Sequence, residues 1–212
     1  MFNTISRRQK RKNVSFGNVA VLLIATAMLA QVLGFFRTKL VNANFNGATL
    51  PPDQNAGVYF AAFVLPDFFF FTIAAGALGV AVMPYLSDRL QRGDRKGLWD
   101  LASSLINLLG FIMIGVGVLM FIFAEPLVRT VVAHGYTPEQ QHNVAVMIRI
   151  LALNPLLFTI SGVIASAQQV FGRFFFYAIG PIFYNVSIIA SIYIFKDNIG
   201  IVGLAIGAAV GA

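Results

Sequence analysis

The sequence predicts an all-α membrane protein, a bundle of about six transmembrane helices. Of the 212 residues, 58% are hydrophobic and only 11% are charged. Soluble domains carry about 25% charged residues, so a soluble chain of this composition would expose too much apolar surface to water. The apolar residues also fall into segments of about 20, the length that crosses a bilayer as a helix.

The apolar segments follow one another along the chain and are separated by short polar loops. The first five segments reach about the length needed to cross a bilayer. The sixth is too short, so we expect the protein to continue beyond Ala212. The predicted helices cover residues 19–41, 57–85, 101–123, 144–168, 177–195 and 199–212, the last one truncated.

The basic residues predict the orientation of these helices. Residues 1–18 form a basic leader, with five Lys or Arg side chains directly before the first apolar segment. With this leader in the cytoplasm, ten basic residues fall inside and two, Arg129 and Lys196, fall outside. A cleaved signal peptide is the alternative, but the apolar stretch is longer than the usual segment of about 7–15 residues. We therefore expect a retained first helix.

Other function classes lack the residues that their chemistry requires. The chain has no cysteine, and two histidines, His134 and His142, are too few for a metal site. No metalloprotease, phosphate-loop or dinucleotide-binding motif supports an enzyme, and we predict no cofactor. The net charge of +7 could indicate a nucleic-acid partner, but the basic residues flank apolar helices, as in proteins surrounded by membrane lipids.

Ionisable side chains inside the predicted helices mark candidate sites, because a charge within a bilayer costs at least about 2.5–3.5 kcal/mol. Arg37 either reaches the lipid headgroups or clamps a phosphate in a central cavity. Gln31 points about 120° away from it, so the two can border one wide cavity. Asp67 follows Pro66 at a predicted helix break, where it either caps the next half-helix or forms a protonatable or ion-binding site.

The later helices carry a third ionisable group and a small-residue stripe. Arg149 either reaches the outer headgroups or faces the cavity, and Asn154 and Pro155 follow about one turn deeper. In the last helix, glycine recurs at every fourth position, which predicts close packing against another helix. These glycines are Gly203, Gly207 and Gly211.

Short motifs in these helices resemble those of the MurJ/MviN family of lipid II flippases. Residues 32–37, VLGFFR, are similar to the R-x-L-G-x-x-R-D motif of the family's first helix. Residues 59–84 are similar to its second helix, with prolines at Pro66 and Pro84. Further similarities follow in order at residues 134–136, 149–155, 167–174, 181–185 and 203–207. The resemblance extends along nearly the whole chain.

This resemblance implies a two-lobed transporter of the multidrug and polysaccharide exporter superfamily, with residues 19–212 as its N-terminal lobe. The implied function is translocation of lipid II, the undecaprenyl-diphosphate-linked peptidoglycan precursor, across the cell inner membrane by alternating access. The alternatives are export of another lipid-linked polysaccharide precursor, or a degenerate scaffold that no longer transports. The implied partners are the lipid-linked substrate and the missing C-terminal lobe.

Several charged positions of the family pattern hold other residues in this sequence. The first arginine of the first-helix motif is Gln31, and the arginine of the second-helix motif is Phe70. Of the arginines that engage the pyrophosphate in the family, only Arg37 remains in this lobe. The predicted substrate-binding residues are Arg37, Gln31 as a neutral donor, Asp67, Arg149 and Asn154.

Overall fold

The structure is a computed structural model that describes residues 16–46, 51–76, 78 and 82–212. Residues 1–15 of the predicted basic leader lie outside the described residues. The described chain is helical, with no strand among these residues. The α-helices are α1 (Phe16–Phe45), α2 (Ala56–Phe69), α3 (Met83–Gln91), α4 (Arg95–Leu127), α5 (Pro138–Leu151), α6 (Asn154–Val170), α7 (Phe175–Phe195) and α8 (Gly203–Gly211). Short 3-10 helices cover Pro52–Gln54 and Gly200–Val202.

Five helical stretches within the described residues are long and apolar enough to cross a membrane. Their number and apolar character confirm the predicted all-α membrane fold. They are Val19–Phe45, Ala56–Ala75, Arg95–Val132, Pro138–Val170 and Phe175–Phe195. The apolar helix Gly200–Gly211 is shorter than these five.

The second span differs from the prediction at Pro66, where the sequence predicts a break. Helix α2 continues through Pro66, and a π-helical segment, Phe70–Ala75, follows it. Proline removes one backbone donor, and wider local turns can take up the change in hydrogen bonding. The Phe70 N–H donates to the carbonyl oxygens of Pro66 and Asp67. Because the helix is continuous here, the interpretation of Asp67 as the cap of a separate half-helix is wrong.

The third and fourth spans begin earlier than predicted, because polar capping residues start each helix outside its apolar segment. At the start of α4, the Asp94 carboxylate accepts a hydrogen bond of 2.8 Å from the Gly97 N–H. At the start of α5, Thr137 and Gln140 form a reciprocal capping box. The spans therefore begin at residues 95 and 138, whereas the apolar pattern predicts 101 and 144.

The fourth span is interrupted at Ala152 and Leu153, between α5 and α6. Pro155 has no N–H to donate to the carbonyl of the residue four positions earlier, so the regular ladder cannot continue through it. Helix α4 supports this break at close range. A Cβ atom added to Gly117 of α4 would lie 2.7 Å from the Ala152 carbonyl oxygen. Only glycine permits this approach.

Two buried clusters hold the helices together. In the larger cluster, residues of α2, α5, α7 and α8 pack against one another; they include Val58, Met147, Ile148, Ile188 and Leu204. The second cluster joins α3, the start of α4 and the end of α6; it includes Leu86, Leu98, Leu109, Val163 and Ala167. Helix α1 packs mainly on α7 and completes the wall of the cavity described below.

Gly207 sets the close approach of α8 to α7. A Cβ atom at this position would overlap Ser191 and lie 3.0 Å from the Ser187 carbonyl oxygen. We expect Gly207→Leu to lower the free energy of unfolding by at least about 1–3 kcal/mol, the usual cost of overpacking. Thermal unfolding of the purified protein in detergent measures this loss. Gly115→Leu is the matched control, because no described atom lies within 4 Å of a Cβ there; equal losses would contradict the packing role.

Candidate functional site

Arg37 and Asp67, which the sequence places in different helices, line one cavity of about 510 Å³. The cavity lies between α1, α2 with its π-helical continuation, α6 and α7. Its volume is within the range of small-molecule sites, about 300–1,000 Å³. The remaining lining residues are Tyr59, Phe60, Phe63, Val64, Phe70, Phe71, Phe158 and Tyr184.

The packing of α1 on α7 places Arg37 at the cavity. One turn before Arg37, a Cβ atom added to Gly34 would lie 3.7 Å from Asn185 Oδ1. The Asn185 amide group donates to the carbonyl oxygens of Ala30, at 3.3 Å, and Pro181, at 2.9 Å. Asn185 therefore ties α7 to α1.

The Arg37 side chain retains unused hydrogen-bond donors. Its Nε is buried and has no hydrogen-bond partner among the described residues. It also forms no salt bridge with any carboxylate in that part of the chain. Asp67 is the other charged residue that lines the cavity. A buried, unpaired donor costs about 1–3 kcal/mol, so a ligand that supplies an acceptor to Arg37 recovers this cost on binding.

Aromatic rings form most of the cavity wall. Tyr59 is 2% exposed, and its ring centre lies 4.8 Å from that of Phe63. Phe158 of α6 connects the two sides of the cavity, with its ring centre 5.5 Å from Phe70 and 5.4 Å from Tyr184. The cavity therefore combines one cation, one carboxylate and two phenol groups with a largely aromatic wall.

A four-residue periodicity in the sequence predicts part of this aromatic wall. A search for ionisable groups alone does not detect it. Tyr59, Phe63, Asp67 and Phe71 recur at every fourth position, which places them along one side of a helix. This periodicity by itself groups Asp67 with aromatic residues. Tyr184 carries no comparable signal, because only the packing of α7 brings it to the cavity.

The other predicted site residues lie elsewhere. Gln31 is exposed on α1 and is not among the lining residues. Asn154 is 2% exposed at the start of α6, and its Oδ1 has no hydrogen-bond partner among the described residues. Arg149 joins α5 to α4: a guanidinium nitrogen lies 3.1 Å from the Glu125 carboxylate, and its Nε donates to the Phe121 carbonyl oxygen at 3.3 Å. Neither Arg149 nor Asn154 lines the cavity.

A second pocket of about 300 Å³ lies between the end of α4 and the start of α5. Its lining residues are Glu125, Arg129, Pro138, Gln141 and His142. Glu125 lies 3.9 Å from Arg129 and 3.1 Å from Arg149, so two cations already compensate its charge. No cluster of three or more potential metal ligands occurs in the portion of the chain that the structure describes. The cavity at Arg37 is therefore the stronger candidate site.

Comparison with known proteins identifies the relatives of this chain. A family model described as lipid II flippase MurJ matches residues 47–212. The probable lipid II flippase MurJ of Rhizobium tropici is 25% identical over 170 residues, which cover 77% of this chain and 30% of that protein. The probable lipid II flippase MurJ of Buchnera aphidicola subsp. Acyrthosiphon pisum is 25% identical over 164 residues, 76% of this chain and 31% of that protein. The chain therefore spans less than a third of these curated relatives.

A solved structure shows the same arrangement of helices. A MOP superfamily transporter from Pyrococcus furiosus superposes with a TM-score of 0.70 over 92% of this chain and 42% of that protein. The two sequences are 16% identical. At this identity the likeness establishes the fold alone.

Proposed function

We propose, because this chain belongs to the MurJ family of lipid II flippases, that the full-length protein moves lipid II from the inner to the outer leaflet of the cytoplasmic membrane. The observation that carries the proposal is the unpaired Nε of Arg37 at an aromatic-walled cavity. Lipid II carries a diphosphate, the kind of anion that a guanidinium group binds through paired hydrogen bonds.

In this proposal, Arg37 holds the diphosphate. Charge-assisted hydrogen bonds contribute about 1.5–3 kcal/mol each. The hydroxyl groups of Tyr59 and Tyr184 supply neutral donors at the same cavity. Gln31, on the same helix but outside the lining residues, is a secondary donor for the part of the ligand that extends beyond the cavity. Arg149 remains a helix-to-helix tie.

Transport by alternating access requires that the cavity opens to one side of the membrane at a time. We propose that the rest of the full-length protein forms a second lobe that faces this cavity, and that the two lobes rock about it. Binding and release of the lipid need no covalent step. The lipid tail stays in the bilayer while the diphosphate and sugars cross through the cavity.

The orientation that we propose places the amino terminus in the cytoplasm. Hydrogen bonds at one end of the bundle support the alternation of spans: Gln54 Oε1 accepts from the Ile201 N–H at 2.8 Å, and the Asn143 amide donates to the Asp53 carbonyl oxygen at 3.1 Å. At the opposite end, the ring of Trp99 stacks on that of Phe171. Loops that alternation assigns to the same side are thus in contact.

The charge of the cavity favours a second candidate, the export of another lipid-linked polysaccharide precursor. Asp67 balances the charge of Arg37, and Phe70 occupies a position where the family pattern has an arginine. A cavity with no net formal charge binds a diphosphate less strongly than one with several arginines. A cargo with fewer negative charges or a different sugar would fit a cavity in which Asp67 balances Arg37. A scaffold that no longer transports would need no free Arg37 donor.

Complementation tests the proposed cargo. We expect the full-length protein to restore growth and cell shape to bacteria that are depleted of their own lipid II flippase. An immunoblot of the membrane fraction controls for insertion. Failure of a well-inserted protein to restore growth would contradict lipid II as the cargo. Labelling that placed Arg92 and the amino terminus on opposite faces of the membrane would contradict the proposed topology.

A further inference from the structure

We infer that the end of the bundle around Trp99 and Phe171 binds the headgroup of an anionic phospholipid. Trp99 is 52% exposed, and its ring stacks on Phe171 with 6.0 Å between the ring centres and 24° between their planes. The stack joins the start of α4 to the turn after α6. It is separate from the cavity at Arg37 and does not depend on the proposed transport function.

Packing beneath the stack holds the two rings in place. Phe171 is half-buried against the cluster that contains Leu86, Leu98 and Ala167. Tryptophan and other aromatic side chains with a polar group favour the boundary between the hydrocarbon and headgroup regions of a bilayer. Trp99 lies near the start of the span Arg95–Val132, so we expect its exposed face to lie at the depth of the lipid phosphates.

Three exposed cations lie within four residues of Trp99 or Phe171 in the sequence. Arg95 lies one turn before Trp99 on the same face of α4, and Lys96 follows it. Arg173 comes two residues after Phe171. Its backbone N–H donates to the Gln168 carbonyl oxygen at 2.9 Å, and this hydrogen bond fixes the turn. None of the three cations forms a salt bridge within the described residues.

Other charges at this end already have partners. Arg89 lies 3.0 Å from Asp94, and Arg92 lies 3.0 Å from Asp88. Asp100, which follows Trp99 in sequence, is the acidic residue near the stack that has no salt bridge among the described residues. Three free cations against one free carboxylate leave a net positive surface beside an aromatic platform.

This combination favours an anionic lipid over a zwitterionic one. Guanidinium groups bind phosphate oxygens through paired hydrogen bonds, and both Arg95 and Arg173 are available for them. The ammonium group of a zwitterionic headgroup competes for the same phosphate and repels the cations. Each Lys or Arg near a membrane surface strengthens the binding of anionic lipid by about fivefold.

Quenching of Trp99 fluorescence by brominated lipid tests this inference directly. Trp99 is the single tryptophan in these 212 residues, and any tryptophan in the rest of the full-length protein is replaced by phenylalanine. The protein is reconstituted in brominated phosphatidylcholine, and unbrominated phosphatidylglycerol is added. We expect phosphatidylglycerol to displace the quencher at least about fivefold more effectively than unbrominated phosphatidylcholine does, and we expect high salt to weaken this preference.

Matched variants separate a specific site from general surface charge. Arg95→Gln combined with Arg173→Gln should lower the preference for phosphatidylglycerol by about fivefold or more. Arg89→Gln combined with Arg92→Gln removes the same number of charges, but from cations that already have carboxylate partners, and should retain most of the preference. Equal displacement by the two lipids in the unmodified protein, or equal losses in the two double variants, would overturn the inference.

Discussion

Arg37→Gln is expected to abolish the rescue of cells depleted of their lipid II flippase, although the variant protein reaches the membrane at the normal level. The substitution keeps a polar side chain but removes the positive charge and the paired donors. Loss of two charge-assisted hydrogen bonds costs about 3–6 kcal/mol, which weakens binding by a hundredfold or more. Folding should be little affected, because the buried Nε has no partner to lose among the described residues.

Lys39→Gln is the matched control for this variant. Lys39 is on the same helix, two residues later, where it is exposed and does not line the cavity. It should rescue as well as the unmodified protein. Retention of lipid II by the purified proteins, measured by native mass spectrometry, should follow the same order. Undiminished rescue by Arg37→Gln would remove Arg37 from the proposed site.

The fold class could be predicted because bilayer thickness imposes a length on each apolar segment. The ends of the helices could not, because they depend on polar capping residues such as Asp94 and Thr137, which lie outside the apolar pattern. The sequence analysis predicts a break at Pro66, where α2 continues, and a continuous helix through Pro155, where the span is interrupted. The apolar pattern does not show the local packing: Gly117 of α4 accommodates the Ala152 carbonyl oxygen at the interruption, and a π-helical segment follows Pro66.

The candidate site could be predicted residue by residue but not as a group. The cost of a charge in a bilayer identifies Arg37, Asp67 and Arg149 from the sequence alone. It cannot show that Arg149 finds its partner, Glu125, on the neighbouring helix, or that Arg37 and Asp67 share a cavity. The Arg149–Glu125 salt bridge and the shared cavity depend on which helix faces pack together. In both cases the residues are distant in sequence.

Asp67→Asn is expected to strengthen the binding of the diphosphate lipid and to slow its transport. When ionised, the Asp67 carboxylate attracts Arg37 and repels a diphosphate in the same cavity. At the separations found within one cavity, this repulsion is about 1–2 kcal/mol, so its removal should tighten binding by about tenfold. Asparagine has nearly the same shape as aspartate, so the aromatic wall should keep its packing.

The opposite changes in binding and transport distinguish a competing counterion from other roles of Asp67. Tighter binding slows release into the outer leaflet, so rescue should weaken while the retention of lipid II by the purified protein rises. In the double variant Arg37→Gln with Asp67→Asn, binding should be tighter than in Arg37→Gln alone, because the repulsion between the carboxylate and the diphosphate does not act through Arg37. Weaker binding by Asp67→Asn alone would mean that the carboxylate contacts the ligand itself, through sugar hydroxyl groups or a bound cation, and that Arg37 and Asp67 act together on the cargo.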